Sequence, residues 1–153
     1  MPGYINKARH KYQHPMPKRP VNAPAKFKHI QYGAKVQIAD VDTSPQLAKD
    51  RIRHIQDVVG TLLYYYRAVN PTLLATLIQI ASCQSTATEE VATMIKKLLD
   101  YVATHSNARI RYVASDMIIN LHFDVSYISE PKAKSRAGCH FWIGNKGNKD
   151  FNK

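Results

Sequence analysis

Cysteine is scarce in this 153-residue chain: only Cys83 and Cys139 occur, far apart and without CxxC spacing. They are expected to be free thiols in a reducing compartment. No apolar run approaches the roughly 18 residues that a spanning helix needs, and the mean hydropathy is -0.37. The first residues carry no apolar core of a secretory signal. The expectation is therefore an intracellular protein, cytoplasmic or nuclear, without a membrane span. A Gly-rich phosphate loop, an HExxH pair and a nucleophile elbow are all missing, so no motif-borne catalytic site stands out. Acids are absent from residues 1–39, which hold eight cations: Lys7, Arg9, Lys11, Lys18, Arg19, Lys26, Lys28 and Lys35.

That last absence shapes the charge map. Residues 40–130 carry eight basic and ten acidic side chains, and residues 131–153 carry six basic and one acidic. The net charge of +11 thus sits at the two ends of the sequence. Concentrated positive charge is the usual footprint of a polyanion partner, most often nucleic acid. The plainer reading is a pair of solvated basic tails.

Five of the eight prolines (Pro2, Pro15, Pro17, Pro20, Pro24) fall in residues 1–32. Proline lacks an amide donor and biases its predecessor toward extended backbone, so no helix or central strand is expected across 14–25. A short helix fits Ile5–Gln13, and the rest reads as an extended basic arm. Tyr4, Tyr12, Phe27 and Tyr32 interleave with its cations. They suit base stacking over a charged groove, or they pin the arm onto the domain. Gly33–Asp40 reads as a short strand, and Asp42, Ser44 and Pro45 mark a turn.

Three helical stretches follow. Ile52, Ile55, Val59, Leu62, Leu63 and Tyr66 recur at three and four within Lys49–Ala68 and predict one buried face. Gly60 inside it costs about 1 kcal/mol relative to Ala, for which close helix packing is the expected compensation. Of Tyr64, Tyr65 and Tyr66, rotated by roughly 100° each, at most two can face the core. Asn70 is placed to cap a helix starting at Pro71, with Leu73, Leu74, Leu77, Ile78 and Ala81 on its buried side. A third helix is expected to begin near Thr86–Thr88, with Thr86 and Glu89 at capping-box spacing, and its stripe is Val91, Ile95, Leu98, Leu99 and Val102. After Asn107 the period changes to two. Arg109–Ala114, Met117–Asp124 and Gly138–Gly144 read as strands, with a turn at Ser115–Asp116. The fold class is α+β: about three packed helices and a small antiparallel sheet, with a basic, Pro-rich N-terminal arm.

His122, Asp124, Cys139 and His140 invite a metal site. On a strand, however, His122 and Asp124 share a face while Cys139 and His140 point oppositely, so one hairpin cannot easily present all four. His105 and Ser126 have no spacing that supports hydrolase chemistry.

The segment DMIINLHFDVSYISEPKAKSRAGCHFWIG resembles the two opening strands of the ribonuclease H domain in copia-type retroelement polyproteins. Upstream, DVVGTLLYYYRAVNPTLLATLIQIAS is similar to the helical connection that follows the polymerase thumb. TATEEVATMIKKLLDYVATHSNARIRY is similar to the helix and strand leading into ribonuclease H. MPGYINKARHKYQHPMPKRP resembles the thumb end, so the likeness spans about residues 1–145. It implies a thumb-end arm at 1–46, a connection region at 47–106 and an incomplete ribonuclease H-like hairpin at 107–145, while the polar composition of 146–153 predicts a disordered tail. By position, Asp124 matches the first metal-binding aspartate, which in the family joins further carboxylates around two Mg²⁺ ions to hydrolyse the phosphodiester of hybrid RNA. Those further carboxylates have no counterpart here, and the polymerase carboxylates are absent as well. Phe123 and Val125 flank Asp124 where smaller residues are usual, and Cys139 stands where a second Gly is common. The bulk beside Asp124 is expected to crowd a metal.

What the resemblance implies is a fragment without polymerase or ribonuclease H activity of its own, binding RNA–DNA hybrid or other nucleic acid non-specifically. The expected phosphate contacts are Lys7, Arg9, Lys11, Lys18, Arg19, Lys132, Lys134 and Arg136. Asp124 would be the lone weak Mg²⁺ ligand. Two other readings stand beside this one. The first is a small interaction module whose open sheet edge recruits a partner, even the remainder of the polyprotein. The second is a relic without function.

Overall fold

The computed structural model describes Met1 and residues 3–26, 41–108, 110, 111, 113–130 and 134–146. Expectations for a strand at Gly33–Asp40, for Phe27 and Tyr32, for Lys132 and for a tail beyond Lys146 lie outside the described residues. The described ones form four α-helices and a two-stranded antiparallel sheet, an α+β chain, in two compact units.

The helical unit is built on α2 (Lys49–Ala68), which buries Ile55, Val58, Val59, Leu62, Tyr65 and Tyr66. Tyr64 stays outside, leaving two of the three consecutive tyrosines in the core. Burial, and then the neighbouring Tyr65 and Tyr101 phenols, pushes the Tyr66 phenol well above its ordinary value. Gly60 differs from expectation. It is exposed, and a Cβ there would meet nothing within 4 Å, so no close packing offsets its cost.

Asn70 turns the chain, its Oδ1 accepting from the Thr72 backbone N–H (3.2 Å) and hydroxyl (2.8 Å). Pro71–Leu73 is a single 3₁₀ turn that feeds α3 (Leu74–Ala81). That turn sets the helix phase, so Leu73, Leu77 and Ile80 form the buried stripe and Ile78 faces out. The third expected helix is α4 (Glu89–Thr104), with Val91, Ile95, Leu98, Leu99 and Val102 buried as anticipated. Its cap is Thr88 rather than Thr86. Ala87 is extended and fully buried, because its carbonyl accepts from Leu47 N at 2.9 Å, so the helix cannot begin earlier. Thr86 instead closes a second 3₁₀ turn, Gln84–Thr86.

A polar knot ties the start of α4 to the turn before α2. Asp42 Oδ1 accepts from the Ser44 N–H (2.8 Å) and hydroxyl (2.6 Å), and Asp42 Oδ2 accepts from the Thr88 hydroxyl. Ser44 Oγ accepts from Glu90 N at 3.1 Å. These donors, Ser44 first and then Thr88, hold the Asp42 carboxyl below its ordinary value.

Past the helical unit, which ends at Ile110, the expected strand is missing: Ile110, Arg111, Val113 and Ala114 carry none. Their expected pairing gives way to a bend in which Met117 takes a left-handed φ of 58°. The two strands are β1 (Ile118–Glu130) and β2 (Lys134–Gly144), both longer than expected. Their register sets Leu121 opposite Phe141, His122 opposite His140, Phe123 opposite Cys139 and Asp124 opposite Gly138, with an irregularity between Ser126 and Glu130.

Two substitutions test the helical unit by urea unfolding followed by helical circular dichroism. Gly60→Ala should stabilise it by up to about 1 kcal/mol, since the site is exposed and spacious. Leu62→Ala, at a fully buried position, should cost roughly 2–5 kcal/mol.

Candidate nucleic-acid interface

The arm begins as α1 (Tyr4–Lys11), an eight-residue helix whose Ile5 and Ala8 are buried. Its aromatics pin it down. The Tyr4 hydroxyl donates to the Thr61 carbonyl at 3.1 Å, and its ring stacks on Tyr65 at 5.2 Å between centroids. The Tyr12 hydroxyl donates to the Asp57 carbonyl at 3.0 Å and lies 2.5 Å from Thr61 Oγ1. Of the two roles open to these rings, the structure shows anchoring on α2.

Beyond α1 the chain has no helix or strand through Lys26, as its prolines require. It is clamped twice on α4. His14 Nε2 lies 2.7 Å from Asp100 Oδ1, and the Val21 N–H donates to Thr104 Oγ1 at 3.2 Å. Asp100 and Thr104 are one helical turn apart, about 6 Å along the axis. Residues 14–21 therefore form a bow with both ends fixed to adjacent turns of one helix, and Lys18 and Arg19 stand exposed near its middle.

The candidate cations differ in how available they are. Lys7, Lys18 and Arg19 are exposed. Lys11 Nζ pairs with Asp57 at 2.8 Å, which holds the Asp57 carboxyl below its ordinary value, so much of its charge is answered within the fold. Arg9 is half-buried, and its Nη1 donates to the His14 carbonyl at 3.3 Å. In the hairpin unit, Arg136 is half-buried and its backbone exchanges hydrogen bonds with Ser126 Oγ at 3.1 and 3.2 Å. The Ser126 hydroxyl is thus part of the ladder rather than a poised nucleophile. Lys134 is placed by its backbone, opposite Glu130. The five arm cations therefore share one unit, and the two described hairpin cations lie in the other.

Asp124 is exposed on β1, one oxygen accepting from the Val125 N–H at 2.8 Å. Pleating turns Phe123 and Val125 to the opposite face, so these bulky neighbours do not crowd the carboxylate as expected. His122, Asp124 and His140 share its face, with His140 stacked on Trp142 at 5.3 Å, while Cys139 faces away. Among the described residues no group of three or more His, Cys, Asp or Glu side chains is arranged to hold a metal ion. His105 packs on the Tyr101 ring at 4.5 Å.

The His14–Asp100 clamp went unnoticed in the sequence. Its two members are 86 residues apart and neither belongs to a motif. A cleft of about 210 Å³ also opens between Pro24–Lys26 and helices α3 and α4, with Lys26, Lys97 and Glu90 at its walls. No family model, no curated protein and no solved structure matches this chain.

Burial pushes the Asp100 carboxyl upward, but hydrogen bonds from Lys96 (2.8 Å) and His14 outweigh it and leave the group below its ordinary value of 3.8. A depressed carboxylate contributes stability above its unfolded value and loses it as pH falls through the folded one. The urea midpoint of the helical unit should therefore fall on acidification from about pH 5 downward. Asp100→Asn should flatten that fall without abolishing it, because Asp42 and Asp57 are lowered too. Equal slopes for the two proteins would rule the clamp out as a contributor.

Proposed function

We propose that this chain is a nucleic-acid-binding remnant of a copia-type retroelement polyprotein: a thumb end, a helical connection and the opening hairpin of a ribonuclease H-like domain. The parent function is RNA-directed DNA synthesis with cleavage of hybrid RNA, and the chain itself contributes binding without catalysis. The observation that carries the binding part of this reading is the acid-free arm, with Lys18 and Arg19 held exposed on a bow clamped to α4, while the retroelement part rests on the sequence resemblance. Phosphate contacts of this kind position a nucleic acid without reading its sequence, because each phosphate looks alike.

The catalytic part of the resemblance rests on Asp124 alone. Two Mg²⁺ ions in a hydrolytic site need near-octahedral oxygen ligation and several negative charges. One exposed carboxylate opposite a glycine offers a single weak ligand. Asp124 would hold a bound Mg²⁺ only loosely, and that ion would neutralise phosphate charge rather than activate water. The alternative of a protein-interaction module draws its support from the hairpin. Among the described residues one of its faces is apolar and uncovered, which is a feature of docking surfaces rather than of a solvated tail.

Binding of a labelled RNA–DNA hybrid across a salt series tests the proposal. Affinity should fall steeply with salt, with the logarithmic slope set by the number of phosphates neutralised. Lys18→Ala combined with Arg19→Ala should lower that slope by about two. Lys11→Ala should lower it by less, since Lys11 already has Asp57 as its partner. Millimolar Mg²⁺ should produce no cleavage. A slope untouched by the double substitution, or cutting of the hybrid, would overturn the reading.

A further inference from the structure

Alternation along the hairpin sorts its side chains into two unlike faces. Asn120, His122, Asp124 and Ser126 of β1 share one face with Arg136, Gly138, His140 and Trp142 of β2. The other face carries Ile119, Leu121, Phe123 and Val125 from β1, paired with Ile143, Phe141, Cys139 and Ala137 from β2. Tyr127 extends it by alternation. No charged side chain interrupts this second face between Ile119 and Tyr127 on β1 or between Ala137 and Ile143 on β2.

Among the described residues nothing covers this apolar face. Ile119, Leu121, Phe123, Val125, Tyr127, Phe141 and Ile143 are each between 54% and 86% exposed. Large apolar and aromatic side chains present on the order of 150–200 Å² each when fully exposed, so the seven together offer about 800 Å². That is the share one partner contributes to a standard-size protein interface, about 1,600 Å² in all. A two-stranded ribbon is marginal in water unless such a face is covered.

We propose that the face is covered by a second copy of this chain, the two hairpins packing face to face about a two-fold axis. Three features favour a copy over other occupants. The area matches what each half of a stable dimer supplies. The face is free of charge, so two chains of net charge +11 meet there without like charges opposed, and nothing on it would attract a polyanion or an acidic peptide. The relief is also self-complementary: Phe123 stands high on β1 directly beside a low formed by Cys139 and Ala137 on β2. A two-fold axis near this pair sets each Phe123 over the other copy's low, which is the reciprocal contact that an isologous interface requires. Facing sheets then stand about 10 Å apart with their inner side chains interdigitated. The inference does not depend on whether the arm binds nucleic acid.

Sedimentation velocity of the full chain from about 1 to 100 µM is the first measurement, with a discrete dimer expected to grow in with concentration. Phe123→Lys and Ala137→Lys should each weaken it at least tenfold, whereas Asn120→Lys, on the same hairpin but the opposite face, should leave it unchanged. Thiol reactivity supplies a readout that needs no change to the face. Cys139 is exposed in the single chain, and in a Cys83→Ser background its reaction with a thiol reagent should slow at least tenfold as the dimer forms. A chain that stays monomeric throughout, with Cys139 reacting at one rate at every concentration, would overturn the proposal and leave the face to a different protein. Polydisperse aggregates indifferent to Phe123→Lys would overturn it equally.

Discussion

A helix of 20 residues with a continuous apolar stripe cannot stand alone in water, and the helical unit is organised by the need to cover α2. Each other element does part of that. The 3₁₀ turn and α3 bring Leu73, Leu77 and Ile80, α4 brings Ile95, Leu98 and Val102, and α1 lays Ile5 and Tyr4 over what remains. Burial of apolar surface is the term large enough to offset the entropy of ordering these segments. The hydrogen bonds around Asp42, Asn70 and Tyr12 decide where each segment stops and starts. Asn70, the one buried polar residue among the described residues, has its side-chain oxygen satisfied by Thr72.

Much of this could be read from the residues, and the exceptions have physical causes. The stripe on α4 is unambiguous because polar residues separate its apolar ones. Residues 73–81 are apolar nearly all round, so periodicity could not choose between Ile78 and Ile80, and the 3₁₀ turn chose. Thr86 and Glu89 had the spacing of a capping box. A backbone bridge from Leu47 to Ala87, 40 residues away in sequence, gave the cap to Thr88, the far end of the expected start. Alternation showed which hairpin residues share a face, but not that one of those faces lacks a cover.

The charge map was legible in outline and misleading in detail. Segment by segment, the arm looked wholly basic and the middle nearly neutral. Two of the middle's acids, Asp57 and Asp100, lie beneath the arm and engage Lys11 and His14. Part of the arm's charge therefore serves to fasten it, and the cations left for an outside partner are fewer than composition suggests. Both attachments join residues far apart in sequence, beyond the reach of any local rule. Surface pairs such as Lys11–Asp57 contribute little to stability individually. Their consequence lies in which charges remain unengaged.

The bow from His14 to Val21 has a further consequence, in the cost of ordering. A tethered eight-residue loop with free backbone rotation would lose conformational entropy each time a ligand fixed it. Here Pro15, Pro17 and Pro20 lock three φ angles, and both ends are held by neighbouring turns of α4. The loop has therefore surrendered most of that freedom during folding. Lys18 and Arg19 thus meet a partner on a loop whose shape is already set, so that little of the contact energy is diverted into stiffening the chain.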